Sequence, residues 1–210
     1  MAYKSEQQSA AKPSLPGLFT HRKDPYQFML YLGFGGSSLI FLLFVILYII
    51  RKGTPGWLSF NIPSIFWIST SLIILSSITF HLANKAFIQD RFIHYKWLLA
   101  ATLDLGILFI ITQIIGWQTL LQEGIVIHKS TAGAFLYIIS GLHLLHVLGG
   151  LIFLSILLIQ ALKRTTYIDS FIYSVNPPNQ FRLLLITQYW HFVDILWVLL
   201  FIFFLYQQYF

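Results

Sequence analysis

Apolar residues fill this chain in long unbroken blocks, with little of the inside–outside alternation of a water-soluble fold. Residues 25–50, 53–84 and 130–162 hold no Asp, Glu, Lys or Arg, 97–122 hold only Asp104, and 183–210 hold only Asp194. A helix needs roughly 20 residues to cross about 30 Å of hydrocarbon, so every block is long enough to span a bilayer. The pattern predicts five transmembrane helices over about 28–50, 62–84, 97–118, 132–160 and 182–207. Punctuation falls between them. Gly53-Thr54-Pro55-Gly56 follows the first span, Asn61-Ile62-Pro63 offers a cap and an early proline for the second, and Asn176-Pro177-Pro178-Asn179 breaks the chain before the last. The expected fold class is all-α: a polar tail over residues 1–27, then one polytopic membrane bundle over residues 28–210.

Composition strengthens this reading. With 57% hydrophobic and 10% charged residues and a mean hydropathy of +0.75, the chain has too little polar surface for a water-soluble globule. The absence of cysteine excludes a disulfide framework, thiolate-ligated zinc or iron–sulfur sites, and covalent c-type haem. The net charge of +6 reads as an orientation signal, and nucleic acid is not an expected partner. Five crossings put the N-terminal tail and the 85–96 and 161–181 connections on one side. Ten basic residues lie there: Lys4, Lys12, Arg22, Lys23, Lys85, Arg91, Lys96, Lys163, Arg164 and Arg182. Only Arg51, Lys52 and Lys129 lie on the other, so the N-terminus is expected in the cytoplasm and the C-terminus outside. The tail lacks an apolar signal core, and no cleaved signal peptide is expected. Trp57, Trp97, Trp117 and Tyr206 sit near span ends, where an interfacial aromatic belt would place them.

Candidate chemistry lies in the few polar groups inside the spans. An aspartate at a helix centre costs roughly 2.5 to 3.5 kcal/mol on insertion scales, so Asp104 and Asp194 are expected to be buried against protein. The expected partners are His143 and His146 in the fourth span and His191, three residues before Asp194. Ser140, His143, His146 and Gly150 form a polar and small-residue stripe of the kind that packs against another helix. Such a patch fits either a proton relay or cofactor site, or a hydrogen-bonded cluster that fixes packing. A b-type haem would need His143 or His146 to face His191, and no second pair of ligands is evident for a two-haem cytochrome. An ion-coupled transporter using Asp104 and Asp194 is a further alternative. The spans lack the Gly/Pro interruptions and the inverted repeat that such a mechanism uses. Gly33, Gly35 and Gly36 lie within a span, without strand-turn-helix context, and are expected to allow close helix packing.

The run Tyr189-Trp190-His191-Phe192-Val193-Asp194-Ile195-Leu196-Trp197 closely resembles the YWHFVD-x-x-W segment in the last helix of subunit III of haem–copper cytochrome oxidases. Gly141-Leu142-His143-Leu144-Leu145-His146-Val147 resembles the family's G-x-H-x-x-H-V motif, and Thr70 to Ser77 resembles its serine-rich helix. Order and spacing match over about residues 28–210, in the short five-helix bacterial form that lacks the first two of seven helices. Ser38 stands where the family usually has a membrane-buried glutamate, Gly116 where it has a second, and Leu144 where a glycine separates the two histidines. Ser38 is accordingly grouped with Asp104 as buried polar. The resemblance implies an accessory subunit without a redox centre, in the bacterial inner membrane, packed on oxidase catalytic subunit I and other respiratory subunits that hold the haem and copper. It also implies structural phospholipid, support for proton uptake, and a structural or proton-environment role for His143, His146, Tyr189, Trp190, His191, Asp194 and Trp197. No catalytic, metal or cofactor-binding residue is expected in this chain.

Overall fold

The computed structural model describes residues 25–54, 57, 61–127 and 129–209; residues 1–24 of the expected tail lie outside them. Six helices follow in order: α1 (Pro25–Arg51), α2 (Ile65–Ile88), α3 (Phe92–Gln122), α4 (Thr131–Lys163), α5 (Tyr167–Val175) and α6 (Pro177–Tyr209). All but α5 are long and apolar enough to cross a membrane, so the five expected spans are present and the chain reads as multi-pass. The helices overrun the sequence-based limits by a turn or so at most ends. Hydrocarbon thickness fixes the apolar core of a span, while backbone hydrogen bonding carries each helix on into the polar boundary.

The ends show what stops each helix. Asp90 takes a left-handed conformation (φ 58°) just past α2, where its amide donates to Phe87 O and the Arg91 amide to Ala86 O. Gly124 (φ 82°) repeats this after α3, with its amide on Leu121 O and the Ile125 amide on Leu120 O. Both are Schellman closures, and at the second the buried Ile125 supplies the apolar contact. Ser130 caps α4 by accepting the Gly133 amide at 3.1 Å. Two boundary expectations change. Helix α2 begins after Ser64, so Asn61 is not its cap, and Pro177 and Pro178 are the first residues of α6. A proline at a first helical position loses no hydrogen bond, since that amide would have none to make.

The core is formed by α2, α3, α4 and α6, with α2 and α3 paired most extensively as an antiparallel hairpin. Helix α1 leans on α4 and α6 along one edge only, through Ser37, Phe41 and Tyr48. Its glycines overturn the packing expectation. A Cβ added at Gly33, Gly35 or Gly36 would meet nothing within 4 Å, because these residues point away from the bundle. Gly116 does the job expected of them, since a Cβ there would sit 2.8 Å from the Phe66 ring across the α2–α3 contact. A side chain as large as glutamate has no room at that position.

Helix α5 replaces part of the expected 161–181 connection. Its polar face turns inward, with Ser170 and Ser174 buried, while Tyr167, Ile168, Phe171, Ile172 and Val175 are exposed. An apolar-out face on a short helix beside the end of a span suits the headgroup–acyl boundary. Beside it, the Arg164 guanidinium lies 3.4 Å over the Tyr173 ring. The Tyr173 phenol donates to Gln160 Oε1 at 3.0 Å, and burial raises its pKa against the opposing pull of Arg164.

Candidate functional site

Trp190, His191, Asp194 and Trp197 of α6 and His143 of α4 gather where α6 crosses α2, α3 and α4. Helix α2 supplies the hydroxyls. Its 3.6-residue period brings Ser69, Thr70, Ser76 and Ser77 to the inner side over two turns, and each meets a group on another helix. Thr70 Oγ1 accepts Trp197 Nε1 at 3.1 Å and Ser76 Oγ accepts Trp190 Nε1 at 3.1 Å. Ser69 Oγ accepts Gln113 Nε2 at 2.8 Å, while Ser77 Oγ shares a 2.7 Å hydrogen bond with His191 Nδ1. With no water in the hydrocarbon, these hydroxyls are the nearest available partners for two indole N–H groups and an imidazole.

Trp190 is the centre of the bundle. Its ring, 1% exposed, is laid between glycines of two other helices. A Cβ at Gly150 would stand 2.8 Å from its Cε3 and Cζ3 atoms, and one at Gly106 would stand 3.0 Å from Cη2. One side chain thus joins four helices, α3 and α4 by shape and α2 by a hydrogen bond. Trp197, one further two-turn step along α6, packs against Phe66 (6.3 Å between centroids), Phe109 (5.2 Å) and His143 (5.0 Å). Replacing Trp197 with phenylalanine should keep most of this contact and lose the Thr70 hydrogen bond. Transmembrane hydrogen bonds average about 0.6 kcal/mol and reach roughly 1.7, so a loss of stability of that size, read as a small drop in thermal midpoint, is expected. Trp197→Ala should shift it several-fold further.

The two motif histidines do not converge. His143 faces the core with no accessible surface, set edge-on to Phe109 and tilted against Trp197, and neither ring nitrogen finds a partner among the described residues. His146 turns toward α1. Its Nδ1 donates to Leu142 O at 2.8 Å, so Nε2 is the acceptor and takes the Ser37 hydroxyl at 2.9 Å. Tyr189 closes the same edge by donating to the His146 carbonyl at 2.9 Å.

Three expectations about these groups change. Asp194 is buried, at 4% exposure, yet neither carboxylate oxygen has a hydrogen-bond partner among the described residues, so it is not paired with a histidine. Spacing put His191 beside it on α6, but Ser77 of α2 takes the His191 ring. Ser38 is exposed, and its neighbour Ser37 makes the inward contact. Asp104 is exposed on the outer side of α3, because the helical period turns Thr102, Gly106, Phe109 and Gln113 inward. No sequence signal pointed to Ser37 or Gln113 as network members.

The geometry bears on chemistry too. Both nitrogens of His146 are engaged and the enclosed His143 ring could reach a porphyrin only by displacing Trp197 or Phe109, so paired haem ligation with His191 has no support. Among the described residues no three His, Asp or Glu side chains are grouped to hold a metal ion. What the site can do is hold four helices at fixed separation around a buried carboxyl group set near the Ser77 hydroxyl.

A family model for cytochrome c oxidase subunit III matches residues 55–209. A probable cytochrome c oxidase subunit 3 of Nocardia farcinica is 35% identical over 133 residues, covering 63% of this chain and 61% of the relative. Cytochrome c oxidase subunit 3 of Corynebacterium diphtheriae is 29% identical over 134 residues, 63% of this chain and 60% of the relative. Subunit 3 of a cytochrome bo(3) ubiquinol oxidase from Pseudomonas putida is 28% identical over 134 residues, 64% of this chain and 60% of the relative. The matched part of the chain spans about three fifths of the length of these relatives.

Proposed function

Because this chain belongs to the cytochrome c oxidase subunit III family, we propose that it is the accessory third subunit of a proton-translocating haem–copper terminal oxidase, which reduces oxygen to water. The observation that carries this reading is how the signature segment of α6 is used. Trp190 and Trp197 go into helix contacts, and His191 into a hydrogen bond with α2, so the segment builds a scaffold. Haem and copper belong to the catalytic subunit against which that scaffold packs. The electron donor, cytochrome c or quinol, binds other chains.

The contribution of such a subunit is physical. It covers a flank of the catalytic subunit, orders lipid, and shapes the field near a proton entrance. A groove of about 580 Å³ between α1, α4 and α6, walled by Met29, Phe153, Ile156 and Leu185 with Arg182 and Gln160 in its lining, supports a lipid role. The ten-to-three asymmetry of basic residues supports a cytoplasmic N-terminus in the bacterial plasma membrane. Each basic group near an anionic surface adds about 1 kcal/mol of attraction.

Purification of the tagged chain from its native membrane in mild detergent tests the proposal. A large co-purifying subunit with haem–copper spectra and oxygen consumption is expected. The chain emerging alone with a stoichiometric low-spin haem that vanishes in His191→Ala would replace this reading with that of an independent cytochrome.

A further inference from the structure

Asp104 is the one acidic group within α3, and it lies well inside the span, about 18 Å along the helix from Phe92 at 1.5 Å per residue. It is exposed, and among the described residues nothing donates a hydrogen bond or an ion pair to it. Its surroundings are apolar: Ile107, Leu108 and Ile111 are all exposed beside it. Asp is too short to snorkel to the headgroups as Lys and Arg do. A carboxylate in acyl chains costs roughly 2.5 to 3.5 kcal/mol on insertion scales, and a protein cover with a complementary group would remove that cost.

The sequence around Asp104 shows the form of that cover. Helical side chains lean toward the N-terminus, so the Asp104 carboxylate lies over Ala100 and Ala101, which leave space for an incoming side chain. Trp97, Asp104 and Gln118, all exposed, recur at multiples of seven residues with Ile111 between them. That interval is the repeat along which two transmembrane helices cross at a shallow left-handed angle. A second copy of this chain on the same face would set one carboxylate against another, which like-charge repulsion disfavours.

We infer that the outer face of α3 around Asp104 docks a transmembrane helix of another oxidase subunit, one that presents a cationic side chain to the Asp104 carboxylate. This rests on the proposed subunit role and adds the face and the chemistry of the contact. Asp104 then favours that partner and fixes depth, because a cation at matching height pairs with the carboxylate more strongly than a neutral donor does.

A photoreactive residue placed in this chain alone maps the face in the whole complex. Leu108, with Asp104 intact, is replaced by genetically encoded p-benzoylphenylalanine and irradiated in native membranes. A cross-link to another oxidase subunit is expected. Adducts to lipid alone, or only to a second copy of this chain, would overturn the inference. In parallel, Asp104→Leu should lower the fraction of chain retained with the catalytic subunit by at least about tenfold while its level in the membrane stays normal, and Asp104→Asn should fall between. Wild-type retention of Asp104→Leu would overturn the inference and leave the subunit role standing. Failure of the wild-type chain to co-purify with any oxidase would remove that role itself.

Discussion

Replacing Trp190 with alanine should destabilise the bundle more than any other single truncation, by about 3 to 5 kcal/mol. The size of the loss comes from what the indole fills. Its ring occupies the space between Gly106 and Gly150, neither of which has a side chain that could relax into the gap. Its loss also leaves Ser76 without the indole donor it accepts at 3.1 Å. Detergent-solubilised protein should show a lowered thermal midpoint and faster loss of the chain from its complex. Trp190→Phe should recover part of the difference, since it restores ring volume without the N–H. An alanine variant that melts with the wild type would mean that α3, α4 and α6 are held together elsewhere.

Glycine substitutions should separate by sign. In Gly150→Ala the new methyl would lie 2.8 Å from two atoms of the Trp190 ring and 3.2 Å from Tyr189 Cε1. A rigid indole fixed at its N–H cannot move aside cheaply, so about 1 to 3 kcal/mol of destabilisation is expected. Gly35→Ala places its methyl in open space on α1 and gains helix propensity, which stabilises by roughly 0.5 to 1 kcal/mol. Thermal midpoints of the two variants should fall on opposite sides of the wild type. If Gly35→Ala is the damaging one, α1 is packed by its glycine face and the edge contact through Ser37, Phe41 and Tyr48 is misplaced.

Legibility varied along the chain for physical reasons. The hydroxyl-rich stretch from Thr70 to Ser77 stood out through its resemblance to the family's serine-rich helix, and the structure uses Thr70, Ser76 and Ser77, with Ser69 just before them, to bind other helices. Trp190 and Trp197 stood out through their motif, but their glycine and hydroxyl partners lie on other helices and could not be paired from one sequence. Helix α5 was missed since its five exposed apolar residues are too few to span and are spaced for a surface, a pattern hidden between two basic ends. The expected Asp194–histidine pairing failed for a related reason. Spacing along α6 identifies neighbours on that helix and says nothing of the Ser77 hydroxyl that takes up His191.

The sequence by itself determined which five stretches are long and apolar enough to cross the bilayer and where the charges collect between them, because hydration of a charge is too strong to be given up without compensation. Its long motif in α6 also pointed to the family. Only the tertiary structure decided which side of each helix meets protein. It turned Ser37 inward and Ser38 outward, buried Asp194 and left Asp104 on the surface. In water such choices are written as a stripe of apolar residues. In a membrane the outer face is as apolar as the core, so the stripe disappears and close packing between helices makes the choice.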